Sequence, residues 1–183
     1  MAKLTYKKIK NFLNETELNL LSTYCKLRCR FPSNENISWN NPDKPANFKF
    51  NFKSDTIMES LLLTKQKKVE EILGEKLWPT YSFWRPYFLG NDLSKHKDRS
   101  SCEISLSVCI EKDKINYPLY INDKPFHLEP GEAVLYEGTK YTHYRKKFEG
   151  DYCANVFLHY VRKDGTYKHF KYDKRINIGA KWK

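Results

Sequence analysis

Two periodicities of apolar residues divide the chain near Pro79. Before that point, apolar residues recur every three or four positions, which is typical of helices that pack one face on a core. After it, short apolar runs alternate with polar residues and are separated by turn sequences, which is typical of strands. The pattern therefore predicts helices followed by a mainly β core.

Two helices are predicted in the first part. The first has Asn14 as its N-cap and runs to about Arg28, and the second is capped by Ser54 and ends near Gly74. Between them, residues 31–52 are rich in asparagine, proline and aromatic residues and show no clear period. We expect a long loop there, and a loop of that length is often functional.

The second part predicts many short strands, which favours a sandwich or a barrel. A length of 183 residues suits one domain. We expect a single domain over 1–183, with helical support and a loop in 1–78, the β core in 79–165 and a basic tail in 166–183. Residues 171–183 of this tail should pack loosely, apart from Trp182. The predicted strands are 81–88, 101–110, 118–121, 133–136, 141–148 and 152–161.

Charge and composition exclude only a few classes of protein. The net charge of +11 is compatible with nucleic-acid binding, but the basic residues are spread along the chain, so this partner is not favoured. No run approaches the roughly 20 apolar residues of a membrane span. The beginning of the chain lacks the apolar core of a secretory signal, and the five cysteines show no C-x-x-C spacing. We expect a cytoplasmic protein with reduced thiols.

The sequence His96-Lys97-Asp98 is the strongest chemical signal. Residues two apart in a strand point to the same face, so His96 and Asp98 can bind one ion together. A histidine from a neighbouring strand would complete the set, and His143 lies on a later alternating segment. Two imidazoles and one carboxylate on one side of a metal suit non-haem Fe(II), because positions stay open for a co-substrate and O₂.

The residues around this tripeptide resemble a known family. The stretch RPYFLGNDLSKHKDR (85–99) is similar to the first core strands of prolyl-hydroxylase-like Fe(II)/2-oxoglutarate-dependent oxygenases, which carry a tyrosine, a glycine and H-x-D at about this spacing. LEPGEA (128–133) resembles the turn and strand before the family's distal histidine. The similarity covers roughly residues 80–165 and points to small phage or bacterial members. It implies a double-stranded β-helix, a jelly-roll or cupin-like core, with the N-terminal helices packed on the sheet.

The resemblance also implies site residues and cofactors. It makes His96, Asp98 and His143 the ligands of Fe(II), with 2-oxoglutarate and O₂ as co-substrates, and Tyr87 a residue that helps to hold 2-oxoglutarate. His127 lies outside the position of the family's second histidine, just before a Pro-Gly turn, and is the alternative ligand.

One departure from the family concerns the anchor of 2-oxoglutarate. Relatives usually place Arg or Lys nine or ten residues after the distal histidine, where Tyr152 and Cys153 stand here. Arg145 is the natural substitute, because it lies two residues after His143 on the same presumed strand and shares its face. Its guanidinium can bind a carboxylate through two parallel hydrogen bonds, and Tyr152 could add a hydroxyl donor. The alternative for Arg145 is a solvated basic turn with the two lysines that follow.

These features predict a 2-oxoglutarate-dependent dioxygenase that hydroxylates an unidentified substrate. Arg85 and Trp84 are candidates for substrate binding, and residues 31–52 for the mouth of the site. The basic surface and the family pattern favour a polypeptide or an amino-acid-like, anionic metabolite. Two other classes stay open, namely a cupin-like metalloenzyme that does not use 2-oxoglutarate and a non-catalytic basic module that binds nucleic acid.

Overall fold

The computed structural model of the protein describes residues 6–30 and 51–180. Within these ranges the chain forms two α-helices, ten strands and two short 3₁₀ helices, the latter at Ser100–Cys102 and Lys168–Lys174. Neither α-helix is both long and apolar enough to cross a membrane. The α-helices and strands are α1 (Glu15–Arg30), α2 (Thr56–Leu73), β1 (Tyr6–Ile9), β2 (Phe52–Lys53), β3 (Leu77–Tyr87), β4 (Leu93–His96), β5 (Ile104–Lys112), β6 (Leu119–Ile121), β7 (Lys124–Phe126), β8 (Ala133–Tyr136), β9 (His143–Arg145) and β10 (Cys153–Arg162).

The strands form two antiparallel sheets. The larger sheet has the order β1-β8-β5-β10-β3-β2, and the smaller one has the order β4-β9-β6-β7. Side chains from both sheets line one cavity, so the sheets pack face to face around it. The mainly β, two-sheet architecture expected from the sequence is confirmed.

The central strands β5 and β10 have two chemically different faces, because successive residues of a strand point to opposite sides. One face is apolar and joins residues of α1 and α2 in the main core. The opposite face looks toward the smaller sheet and carries buried polar groups. The apolar residues are Ile104, Leu106, Val108, Ile110, Ala154, Val156, Leu158 and Tyr160, and the polar ones are Ser105, Ser107, Asn155 and His159.

The helix caps agree with the sequence in part. Asn14 caps α1, because its Oδ1 accepts a hydrogen bond from the Glu17 N–H at 2.9 Å and the Glu17 carboxylate accepts one from the Asn14 N–H. Gly74 ends α2 with a left-handed φ of 71°, as expected. The prediction of Ser54 as the cap of α2 is wrong. Asp55 accepts the bond from Ile57 N–H, while Ser54 has a φ of 53°, outside the extended region of an N-cap.

Three short strands were not predicted, namely β1, β2 and β7, and β4 was expected only through the placement of His96-Lys97-Asp98 in a strand. The sequences of the unpredicted strands are YKKI, FK and KPF, in which lysine or proline interrupts any apolar run. β1 and β2 form the two edges of the larger sheet, so the segment before residue 79 contributes strands as well as helices. Of the predicted loop 31–52, residues 31–50 lie outside the described residues.

Two buried residues, Asp173 and Arg175, anchor the segment after β10, which corrects the loose packing expected from its basic composition. The guanidinium of Arg175 donates to the carboxylate of Glu59 on α2, with Nη2–Oε1 at 2.6 Å, and both side chains are 2% exposed. The backbone N–H of Gly179 donates to the same carboxylate. An ion pair between residues as far apart as Arg175 and Glu59 cannot be predicted from local sequence. This ion pair holds the segment against α2 and β3.

Replacement of Arg175 by Ala should lower the free energy of unfolding by about 3–5 kcal/mol, because Glu59 would stay buried without its cation. Urea denaturation followed by tryptophan fluorescence measures this change. Lys168→Ala, an exposed position of the same segment, is the control and should alter stability by less than about 0.5 kcal/mol. Equal stabilities of the two variants would contradict the role given to the ion pair.

Candidate metal centre

Three ligand-type side chains converge where the two strands β4 and β9 pair. His96 ends β4, His143 begins β9, and the two residues are direct partners across the strands. Asp98 follows β4, and its backbone N–H donates to the Gly138 carbonyl at 2.9 Å. Its Oδ1 lies 3.6 Å from Nε2 of His96 and 3.4 Å from Nε2 of His143. One carboxylate oxygen and two imidazole nitrogens therefore face a common point.

Backbone carbonyls orient both imidazoles. Nδ1 of His96 lies 2.7 Å from the Ser94 carbonyl, and Nδ1 of His143 lies 3.0 Å from the Tyr141 carbonyl. A carbonyl only accepts, so each Nδ1 carries the hydrogen, and in the neutral ring Nε2 keeps a lone pair. Metal-binding histidines are commonly oriented in this way.

The donor set fits a divalent ion. When an imidazole is protonated, its Nε2–H can also donate to Asp98. Burial alone would raise the pKa of Asp98, but these hydrogen bonds with His143 and His96 outweigh it and lower that pKa far below its ordinary value. Hydrogen bonding to Asp98 in turn raises the pKa of His96. Ligands about 2.1 Å from an ion and at right angles are about 3 Å apart, so the observed separations need only a small closure around a metal.

The second oxygen of Asp98 is enclosed. Oδ2 accepts a hydrogen bond from the Ser105 hydroxyl at 3.0 Å. A Cβ atom at Gly138 would lie 2.2 Å from the same oxygen and 2.7 Å from Ser105 Oγ. A glycine is therefore required at position 138 if Asp98 is to keep this position.

A cavity of about 200 Å³ opens beside the three ligand-type residues. Arg85 and Tyr87, two of the residues singled out in the sequence, line it from β3. Arg85 is 6% exposed, and its guanidinium lies over the Tyr87 ring at 5.0 Å from the centroid. The other lining residues are mostly aromatic, namely Tyr81, Phe83, Leu93, Tyr136, Phe157 and His159.

Arg145 lies on the inward face of β9, as His143 does, and is 3% exposed. It does not line the cavity itself, but its guanidinium lies 5.5 Å from the ring centroid of Tyr87, which does. Its guanidinium donates to the Tyr117 carbonyl and, at 3.0 Å, to Oδ1 of Asn155, whereas Nε has no hydrogen-bond partner. Within residues 6–30 and 51–180, no carboxylate oxygen lies within 4.0 Å of the Arg145 guanidinium. The alternative in which Arg145 belongs to a solvated basic turn is therefore excluded. Arg145 is buried, and its charge has only neutral partners among the described residues.

Tyr152 and Trp84 do not reach the cavity, which corrects their expected roles in binding 2-oxoglutarate and substrate. Tyr152 packs on the main core, close to Cys29 of α1. Trp84 is fully buried in the same core and stacks on Phe52 with ring centroids 4.1 Å apart. The reason is strand alternation, because Trp84 is adjacent to Arg85 in sequence and must point to the opposite face.

His159 and Ser105 are cavity-side residues that sequence reasoning missed. His159 reads in the sequence as an ordinary core histidine, yet it lines the cavity, and its Nδ1 lies 2.9 Å from Ser105 Oγ. Burial lowers the pKa of His159 to about 4. The sequence feature that could have revealed this polar cavity-side face is the alternation of serines with apolar residues along 104–108. His127, the alternative ligand, is exposed, contacts Asn116 and lies outside the cluster of His96, Asp98 and His143.

Comparisons with known proteins identify the fold. No family model and no curated protein matches the sequence. Solved structures do match, among them EctD from S. alaskensis with 2-oxoglutarate and 5-hydroxyectoine, at 15% identity and a TM-score of 0.65 over 85% of this chain and 71% of that one. The non-heme alpha ketoglutarate dependent epimerase SnoN from nogalamycin biosynthesis matches at 9% identity and a TM-score of 0.69, over 85% and 77% of the two chains.

A third neighbour is the viral collagen prolyl hydroxylase vCPH from Paramecium Bursaria Chlorella virus-1, solved with 2-oxoglutarate. It is 14% identical, with a TM-score of 0.59 over 87% of this chain and 96% of that one. The chain therefore has the double-stranded β-helix fold of the iron- and 2-oxoglutarate-dependent oxygenases, as the resemblance implied. Identities this low establish the fold alone.

Gly138→Ala should weaken binding of a divalent metal at least about 10-fold, because the new methyl group displaces a carboxylate ligand. Titration calorimetry with Co²⁺ measures the affinity. Gly150→Ala is the matched control, since its Cβ would be equally crowded, 2.2 Å from Asp113, but away from the three ligands. An unchanged affinity in Gly138→Ala would show that Asp98 is not a ligand held in this position.

Proposed function

We propose that the protein is an Fe(II)- and 2-oxoglutarate-dependent dioxygenase, a hydroxylase in which His96, Asp98 and His143 hold the iron. The observation that carries the proposal is Arg145, a buried cation with neutral partners on the same strand face as His143. Burying a charge in this way is costly, and an anionic ligand compensates the cost. A metal alone would not need such a group.

The spacing of the two residues suits one dicarboxylate. Residues two apart in a strand are about 6.6 Å apart, which is comparable to the length of a five-carbon dicarboxylic acid. The 2-oxo acid end of 2-oxoglutarate would then lie at the metal and its far carboxylate at Arg145. The pairing uses the fork geometry of the guanidinium.

Tyr87 supplies a second donor for the same carboxylate. Its hydroxyl is buried and makes no hydrogen bond of ordinary geometry within the described residues, although it interacts with the Arg85 guanidinium. Its ring centroid lies 5.5 Å from the Arg145 guanidinium carbon. The Tyr87 hydroxyl and Nε of Arg145 are two of the eight buried polar side-chain atoms without a hydrogen-bond partner among the described residues, and these two lie close to each other. A bound carboxylate would satisfy both.

Iron with 2-oxoglutarate and O₂ supplies oxidative decarboxylation to succinate and CO₂, coupled to hydroxylation of a C–H bond. The chain's own residues hold the metal, orient the co-substrate through Arg145 and Tyr87, and limit the access of water with the aromatic walls Phe83 and Phe157. Arg85 lines the same cavity and would face the prime substrate. Its charge favours an anionic, amino-acid-like metabolite or the side chain of a polypeptide.

The cysteines support a location in the cytoplasm. All five thiols are free, and four of them are buried. Free thiols are the usual state in a reducing compartment.

The reaction can be tested without the prime substrate, by uncoupled conversion of 2-oxoglutarate to succinate in the presence of Fe(II) and O₂. We expect slow turnover by the native protein and none by His143→Ala, which lacks one of three metal ligands. His127→Ala is the control and should keep the native rate, because His127 is exposed and lies outside the cluster. Activity retained by His143→Ala but lost in His127→Ala would refute the assignment.

Arg145→Ala should weaken 2-oxoglutarate binding by at least about 2 kcal/mol, the order lost when one partner of a buried charge-assisted pair is removed. Lys should replace it poorly, because an ammonium lacks the two parallel donors. Calorimetry on the Mn(II)-loaded protein gives the affinity, and metal binding should hardly change.

Arg162→Ala is the control for this series. Arg162 already contacts the carboxylates of Glu75, Glu103 and Glu137, so it has no need of a bound anion. Native affinity for 2-oxoglutarate in Arg145→Ala would defeat the assignment and direct attention to Arg85.

A further inference from the structure

We propose that Ser105 and His159 are positioning residues that hold Asp98 as a ligand through one oxygen only. The inference rests on the proposed metal site and deepens it, because it says which groups outside the ligand set fix the coordination. Ser105 lies on β5 and His159 on β10, and the two are direct partners in the larger sheet. Asp98 reaches toward them from the smaller sheet.

A chain of hydrogen bonds joins the three side chains. Ser105 Oγ lies 3.0 Å from Oδ2 of Asp98 and 2.9 Å from Nδ1 of His159. Ser105 is completely buried and His159 is 5% exposed. Water therefore competes little for these bonds, and groups on two rigid strands determine where Oδ2 lies.

The direction of the bonds follows from the single hydrogen of the serine hydroxyl. Two acceptors are within reach, Oδ2 of Asp98 and, at 3.1 Å, the Cys102 carbonyl. The ionised carboxylate is the stronger acceptor, so the hydrogen goes to Asp98. Ser105 Oγ then accepts from the Nδ1–H of His159. His159 is a neutral imidazole in this arrangement, with its hydrogen on Nδ1.

The consequence concerns the number of open positions on the metal. Oδ1 of Asp98 faces both ligand histidines, while Oδ2 is engaged by Ser105 and enclosed by Gly138. A carboxylate held in this way contributes one oxygen. His96, His143 and one oxygen of Asp98 would then hold a metal through three protein atoms, and the remaining positions of a six-coordinate ion would stay available to a co-substrate and O₂.

The same residues suggest a second metal as the alternative. Asp98, Cys102 and His159 have ligand atoms close enough to hold an ion. However, Oδ2 of Asp98 and Nδ1 of His159 are already engaged in hydrogen bonds with Ser105 Oγ. Cys102 Sγ is itself in contact with the Tyr81 hydroxyl at 3.2 Å. We therefore favour the hydrogen-bond chain, with one metal for each protein chain.

Co²⁺ titration of the full-length protein, followed by calorimetry and visible absorption, tests the inference. Ser105→Ala should lose 10–100-fold in Co²⁺ affinity, the usual effect of removing such a partner, and should change the absorption spectrum of the bound ion. Ser82→Ala is the matched control, because this serine is equally buried but lies on the helix-facing side of β3.

A pair of His159 variants gives a second, independent test. Asn keeps an N–H donor near the position of Nδ1, whereas Leu has none. His159→Asn should therefore keep most of the Co²⁺ affinity, and His159→Leu should lose as much as Ser105→Ala. A purely space-filling role of His159 would not produce this difference, and equal affinities of the two variants would overturn the inference even if Ser105→Ala failed to fold.

The outcomes separate the inference from the proposed function. Failure of the native protein to bind Co²⁺ would refute the metal site itself. Native binding with unchanged affinity and spectrum in Ser105→Ala would leave the metal site standing and overturn the positioning role. Two Co²⁺ ions bound to each chain would also overturn it, in favour of the second metal.

Discussion

The alternation of side chains along β5 and β10 is the constraint on which the candidate site depends. These strands are covered on both sides, by helices on one face and by the smaller sheet on the other. The helix-facing residues must be apolar, and the site chemistry is confined to every second position. Polar groups buried there are costly unless they bond to each other or to a ligand. The serines, Asn155 and His159 form such contacts, and they surround Arg145 and Asp98 with neutral partners.

This arrangement distinguishes the proposed oxygenase from the two other classes. A cupin-like metalloenzyme without 2-oxoglutarate would use the same three ligands. It would, however, bury the Arg145 charge and the Tyr87 hydroxyl without an anionic ligand to offset the free-energy cost of burial. A nucleic-acid-binding module would need cations on its surface, and neither a buried guanidinium nor an enclosed carboxylate between two histidines serves that purpose. The fold alone cannot decide among these classes, because one fold hosts many functions. The buried cation is the feature that favours a dicarboxylate.

The sequence predicts those features that depend on short spacing. The capping box at Asn14 was foreseen, and His143 and Arg145 do share a face, because a separation of two residues fixes direction within any strand. The predictions that were wrong concern contacts between residues far apart in sequence. Tyr152 was assigned to the wrong face, since alternation does not say which set of residues meets the helices. Trp84 was assigned to the substrate together with its neighbour Arg85, although alternation lets only one of the two face the cavity. The packing of Arg175 was also missed, because its carboxylate partner lies 116 residues away.

Anaerobic Fe(II) titration of the native protein shows whether one dicarboxylate spans the metal and Arg145. We expect a weak visible absorption band that needs 2-oxoglutarate as well as Fe(II). We further expect that 2-oxobutyrate, which lacks the far carboxylate, produces the band only at much higher concentration. A band at equal concentrations of the two acids, or no band with 2-oxoglutarate, would contradict this arrangement.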